Sequence, residues 1–249
     1  MVDYNTGKRV NFGVVTSPSG MSETALLLHR YRILGVDLQV YDFAESHAAY
    51  TVAQELACDI YKLRCISFRP GDCVVDIGGH LGMFSITLAL RNPFLRIYAY
   101  EPHPDNYALF QRHLALNRVS NVELYPEALS GDGRPLDLRG SAINSGAASA
   151  LAATLSDRCV FGIPSLTLDQ VFARHGIARC RLLKIDCEGL EYEILSATRI
   201  WDRVDHLCGE FHTNKILASR NCSPKALREF CAQQLAPKGV AVSFCRMSE

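Results

Sequence analysis

The sequence predicts a doubly wound, mostly parallel α/β sheet with a short N-terminal extension. Three observations carry this. From His47 onward, short apolar runs alternate with helical stretches, the pattern of parallel βαβ units. The first such run, Cys73-Val74-Val75-Asp76-Ile77, opens into a glycine turn, Gly78-Gly79-His80-Leu81-Gly82. Almost every later run ends on a carboxylate.

Composition narrows the class. The 249 residues are 48% hydrophobic and 21% charged, which are ordinary globular values. The 26 basic and 26 acidic residues cancel, so broad electrostatic capture of nucleic acid or of an anionic membrane is not expected. No apolar run approaches the ~20 residues of a membrane span. Met1 to Arg9 is polar and lacks the apolar stretch of a secretion signal. A soluble, cytoplasmic protein is expected. Ten cysteines are present without any Cys-x-x-Cys pair, which gives no support to a zinc knuckle or a redox motif. Cys73, Cys187, Cys208 and Cys245 sit in apolar runs and read as reduced thiols that pack as small hydrophobes.

The elements follow in order. Residues 9–15 suggest a strand, broken by Ser17-Pro18-Ser19-Gly20. Residues 23–34 suggest a helix and 38–41 a second strand. Val52, Leu56 and Ile60 recur every fourth position, one face of a helix. After the strand 73–77 and its glycine turn, residues 83–90 form a helix stopped by Asn92-Pro93. A strand over 96–100 ends in Glu101-Pro102, and Pro104 suits the first turn of a helix that runs to Asn117. Residues 122–125 are a strand leading to Glu127-Ala128. Residues 130–165, rich in Gly, Ser and Ala, read as a hairpin or loop excursion. A helix over 167–175 closes at Gly176, a strand over 182–186 precedes Cys187-Glu188-Gly189, and a helix spans 191–198. A strand over 206–212 ends in Glu210-Phe211-His212, Ser223-Pro224 starts a helix to Leu235, and 240–244 is a final strand.

In such sheets ligands bind beyond the carboxyl ends of the strands. The glycine turn fails the dinucleotide fingerprint Gly-x-Gly-x-x-Gly: with its first glycine on Gly78, the second falls on His80 and the third on Met83. The pattern present is Asp-x-Gly-x-x-x-Gly, in which Asp76 suits a ligand ammonium better than a pyrophosphate. Glu101, at the next strand end, suits the two hydroxyls of a ribose. Together they describe S-adenosylmethionine better than NAD.

These residues, with Pro104-Asp105-Asn106, Leu116-Asn117, Asn144-Ser145-Gly146, Thr167-Leu168-Asp169, the segment from Leu183 to Glu191 and Glu210-Phe211-His212, resemble the FkbM methyltransferase family. The resemblance spans roughly residues 72–212, and its most specific segment is Lys184-Ile185-Asp186-Cys187-Glu188-Gly189-Leu190-Glu191. It implies a class I, Rossmann-like fold, S-adenosylmethionine as donor, and a hydroxyl on a natural product or sugar as acceptor. With the element pattern that starts at His47, the expected division is a methyltransferase domain over 47–249, with 1–46 as an extension on the substrate side. One departure is Gly79-His80 where the family usually has Ala-Asn. The chain also ends soon after its last strand, so the usual terminal antiparallel strand is either missing or replaced at that edge by 9–15.

The donor-side set expected from strand ends and resemblance is Asp76, Gly78, Gly79, His80, Gly82, Glu101, Pro102, Asn106, Ala128 and Asp186. A hydroxyl acceptor needs a general base or a metal. Asp186 is the first candidate for the base, and Glu210 and His212, two apart on one strand, join it as catalytic residues. No metal is assigned, although Asp186, Glu210 and His212 would suit Mg²⁺ or Mn²⁺. Glu188 reads either as a site carboxylate or as a cap for the following helix, and Glu191 as a first-turn acid complementing the helix dipole. Lys184 is either paired with a buried carboxylate or directed at the substrate. The acceptor pocket is expected from 1–46, 139–163 and the segment after His212. An NAD-dependent oxidoreductase and a non-catalytic cofactor-binding protein are the competing classes.

Overall fold

Successive residues of the central strands are buried on opposite faces of one sheet, and this divides the core in two. The computed structural model describes residues 2–3, 14–15, 26–140, 158–212 and 222–248. In chain order the elements are β1 (Val2–Asp3), β2 (Val14–Val15), β3 (Leu26–Ile33), β4 (Val36–Phe43), α1 (Ala48–Ala57), β5 (Cys73–Ile77), α2 (Met83–Arg91) and β6 (Arg96–Tyr100). They continue with α3 (Pro104–Leu116), β7 (Val122–Tyr125), β8 (Ala128–Leu129), β9 (Leu136–Gly140), β10 (Arg158–Ile163), β11 (Ser165–Leu166) and α4 (Leu168–Arg174). The last are β12 (Cys180–Ile185), α5 (Glu191–Ala197), β13 (Val204–His212), α6 (Pro224–Phe230) and β14 (Ala241–Ser248).

The central sheet is fully parallel, in the order β14-β13-β12-β5-β6-β7. Val75, Ile77, Tyr98, Tyr100, Leu183 and Ile185 pack on one face with Phe172, Ile194 and Trp201. Val74, Ile97, Ala99 and Leu182 pack on the other with Leu56, Phe84, Ile86 and Phe110. Burial on both faces is why these strands read as unbroken apolar runs. The order steps outward from β5 in one direction and from β12 in the other. The switch point therefore lies between β5 and β12, where a crevice must open.

Three expectations change. Residues 26–33, expected as part of a helix, form β3, paired residue for residue with β4 from Leu26↔Phe43 to Ile33↔Val36. Leu34 and Gly35 turn the hairpin with φ of 48° and 87°, the two positive values that a tight two-residue turn needs. Tyr31 and Ile33 are buried while Arg30 and Arg32 are exposed, which is strand alternation, but Leu26-Leu27-Leu28 masks it in the sequence. The second strand lengthens accordingly, from 38–41 to Val36–Phe43. Of residues 9–15, only Val14–Val15 is described. It pairs antiparallel with Leu26 and Leu27 in a separate sheet, and the edge beside β13 is taken by the parallel β14.

The β3–β4 hairpin lies on the helical face. Leu26, Tyr31, Ile33, Leu38 and Val40 share a core with α1, α2 and α3. His113 pins the two together: its Nε2 accepts from Tyr41 N at 2.8 Å, which places the proton on Nδ1, 2.8 Å from the Leu81 carbonyl. Residues 130–165 contain the antiparallel pair β9–β10, and 141–157 lie outside the described residues. The cysteine side chains described are all free thiols. No helix among the described residues is long and apolar enough to cross a membrane.

Candidate active site

At the switch point β5 and β12 leave the sheet almost in contact. Asp186 N donates to the Ile77 carbonyl at 3.0 Å, and a Cβ on Gly78 would stand 1.7 Å from the Asp186 carbonyl oxygen. Gly78, at φ 77°, is thus required by the neighbouring strand itself. Gly78 N and Gly79 N both donate to the Tyr100 carbonyl, at 3.0 and 2.9 Å, which draws the glycine turn over the end of β6. A cavity of about 460 Å³ opens there. Gly78, Gly79, His80, Glu101, Pro102, Asn106, Ala128, Asp186, Glu210 and His212 all line it.

Of the expected donor-side set, Asp76 and Gly82 do not line the cavity. Asp76 is fully buried, accepts from Ser85 Oγ at 2.6 Å and lies 3.2 Å from Lys184 Nζ. Its charge is used inside the sheet. Gly82, at φ 80°, lies against the Phe110 ring, where a Cβ would fall 2.1 Å from the ring edge. It is a packing glycine that lets α2 approach α3.

Glu101 forms one end of the cavity. Its Oε2 accepts from His80 N at 2.6 Å, and its Oε1 from His103 N at 2.9 Å and Asn106 Nδ2 at 3.4 Å. Burial raises its pKa to about 7, against the pull of the His103 and His80 amides. His80 reaches Glu101 through its main chain, at φ 50°, so the departure from Asn at this position leaves that contact intact. Burial, then the charge of Lys184, lowers its imidazole to about 3, so the ring on the cavity wall is neutral.

The other end is crowded with ionisable groups. Lys184 is buried, donates to the Gly78 carbonyl at 2.7 Å, and lies 3.2 Å from Asp76 and 3.5 Å from Asp186. It is thus paired with buried carboxylates, and it also lines the cavity. Glu188 lines the cavity with φ 55°, a left-handed conformation for a non-glycine residue. Burial raises its pKa to about 7; His212 pulls down, while Asp186, Glu191 and Glu210 push up. His212 Nδ1 lies 2.8 Å from Glu191 Oε1, and its Nε2 is 3.4 Å from Glu188 and 3.8 Å from Glu210. Burial lowers the His212 pKa, but Glu191, Glu188 and Asp186 outweigh it and raise the group to about 10. These carboxylates favour the imidazolium form of His212.

Among the described residues, the metal-capable groups that gather within 4.8 Å are Asp186, Glu188 and His212, with Glu188 in the place expected for Glu210. Glu188 does not cap the following helix, whose first residue, Glu191, takes the loop amides instead. A further wall was missed: His47, the N-cap of α1, and Thr51 and Glu55 along it, spaced four apart, share one helix face and line the cavity. Their spacing was the available signal. Polar residues on a helix face read first as solvated.

Comparison with known proteins bears on the family. The profile of the Methyltransferase FkbM domain matches residues 76–219, more than half of the chain. The 31-O-demethyl-FK506 methyltransferase FkbM of Streptomyces tacrolimicus is 28% identical over 205 residues, covering 67% of this chain and 77% of that protein. Methyltransferase 1 of Beauveria bassiana (strain ARSEF 2860) is 28% identical over 189 residues, covering 64% and 76%. The crystal structure of WT Trm5b from Pyrococcus abyssi aligns with 49% of this chain and 37% of its own at 21% identity, with a TM-score of 0.27 that carries no weight.

Proposed function

The chain belongs to the FkbM methyltransferase family, and from that premise we propose that it moves the methyl group of S-adenosylmethionine to a hydroxyl oxygen of a small molecule. The observation that carries the donor is Glu101: a buried carboxylate at the end of β6, facing a cavity beside a glycine turn. Oε2 holds one main-chain amide and keeps a lone pair for a ribose hydroxyl, while Oε1 holds the His103 amide and, more loosely at 3.4 Å, Asn106 Nδ2, which a second hydroxyl would have to displace. Gly78 and Gly79 bring backbone to the cavity wall, and Pro102, Asn106 and Ala128 continue that wall. When bound, the donor supplies an electrophilic methyl on a sulfonium, so the protein has to supply alignment and proton removal.

Proton removal falls to the opposite end. Glu188 borders the cavity and has a pKa of about 7, close to the value at which a general base is both ionised and basic enough. Asp186, 3.5 Å from Lys184, and Glu210 flank it and keep the cavity negative for a cationic donor. His212, protonated, is their counter-ion and holds Glu188 through Nε2. Oxygen as the acceptor atom is supported by the Streptomyces relative, whose name marks a 31-O position.

Calorimetric titration with S-adenosylmethionine, S-adenosylhomocysteine and NAD tests the donor. Binding of the first two and not the third is expected, and Glu101→Ala should weaken them by about 1–3 kcal/mol. NAD binding, or unchanged affinity in a folded Glu101→Ala variant, would remove this reading.

A further inference from the structure

Glu191 does not border the cavity, yet the catalytic end is tied to it. Its side chain is 1% exposed. Its Oε1 accepts from Cys187 N at 2.9 Å and from His212 Nδ1 at 2.8 Å, and its two oxygens accept from Gly189 N at 3.1 and 3.0 Å. These donors come from two strand ends, the loop after β12 and the last residue of β13. A helix-dipole acid needs neither burial nor such partners.

The consequence falls on Glu188. The amides of Cys187 and Gly189 flank it, and both are clamped by the same carboxylate. Glu188 and Gly189 have φ of 55° and 113°, a backbone that an L residue rarely adopts without support. His212 is fixed by the same group: with Nδ1 anchored on Glu191, Nε2 is left facing Glu188 and Glu210.

We infer, on the premise of the donor and acceptor ends argued above, that Glu191 is a positioning residue that holds Glu188 and His212 at the point of methyl transfer while touching neither ligand. It serves as the buried carboxylate of a relay in which the histidine is oriented and the neighbouring acid does the chemistry. Loss of its charge frees the ring of His212 and lets the loop relax to a conformation in which Glu188 leaves the cavity.

The test uses the full chain with Glu191→Gln, which keeps the size and loses the charge. Glu191→Asp, which keeps the charge and shortens the reach, takes its place if the first variant does not fold. Two readouts are needed, and neither requires the acceptor. In Glu191→Gln, the NMR titration of the His212 imidazole should show proton affinity reduced at least about tenfold. Calorimetry should compare S-adenosylhomocysteine with sinefungin, the analogue that carries an amine where the sulfonium methyl stands. Their affinity ratio should change by at least about fivefold, the effect of one charge displaced at ~4 Å in water. An unchanged His212 titration overturns the inference. So does an unchanged ratio, because a residue that only stabilises the fold would weaken both ligands alike. If the wild type binds neither ligand, the donor reading fails separately, and the His212 titration alone decides whether Glu191 positions the ring.

Discussion

Lys184 and Asp76 are register partners on adjacent parallel strands, and their side chains meet inside the sheet with Nζ 3.2 Å from Oδ1. Lys184 is 4% exposed and Asp76 0%. Burial pulls the ammonium pKa down, but Asp76 and Asp186 together hold it above its ordinary value. The pair closes the floor of the switch-point crevice, because the same ammonium donates to the Gly78 carbonyl.

Lys184→Met leaves Asp76 an uncompensated buried charge and is expected to cost about 3–5 kcal/mol of stability. Asp76→Asn leaves Lys184 with Asp186 at 3.5 Å and should cost less. The double variant should cost less than the sum, since the stranded Asp76 charge is then gone. Urea unfolding of the three variants measures this. Strict additivity would mean that the two residues stabilise the fold separately.

Glu101 sets a pH dependence for donor binding. Its pKa of about 7 in the free protein means that the carboxylate is partly protonated at neutral pH. Ribose hydroxyls donate to the ionised form, so binding favours ionisation and releases a proton. Affinity for S-adenosylhomocysteine should be full above about 7 and fall as the pH drops below it, by at most about tenfold per pH unit. Glu101→Gln should flatten the curve. An affinity in the wild type that ignores pH across this range would place the ribose elsewhere.

The strand ends were legible because a carboxylate that closes an apolar run is conspicuous. What each carboxylate faces was not. Asp76 and Glu101 look alike in sequence, and only the register of β12 against β5 turns the first towards Lys184. Glu188 and Glu191 are three apart, and the left-handed backbone at Glu188 decides that one joins the cavity wall and the other lies beneath it. β3 was hidden by three consecutive leucines, and its pairing with β4 overrode the local helical preference. Gly82 fitted a ligand pattern, but the ring of Phe110 is what requires it.

That last contact makes a separate prediction. Gly82→Ala should destabilise the protein, both because φ 80° strains an alanine and because the new methyl meets Phe110. Phe110→Ala should also be costly, as a fully buried aromatic, by about 3–5 kcal/mol. The double variant should be less damaged than the sum, since the ring no longer opposes the methyl. Thermal unfolding of the set is sufficient. Full additivity would trace the need for glycine to backbone conformation alone.

The catalytic end makes the last prediction. Glu188, with a pKa of about 7, should govern the acidic limb of the pH–rate profile, with turnover rising as the pH passes that value. Its raised pKa comes first from burial, which survives any acceptor that fills the cavity. Glu188→Gln should lower turnover by about 10²–10⁴-fold and abolish the limb, while leaving S-adenosylhomocysteine affinity nearly intact. Asp186→Asn should also slow turnover, but keep the limb, because Asp186 flanks the base and is engaged by Lys184 at 3.5 Å. Proton removal by Glu188 requires no metal, so turnover is expected to withstand a chelator. A panel of hydroxylated acceptors, followed by release of S-adenosylhomocysteine, gives the rate for each variant. Loss of activity on chelation, restored by Mn²⁺, would replace the base by a metal-held hydroxyl at Asp186, Glu188 and His212. A Glu188→Gln enzyme with its limb intact would pass the proton to Asp186.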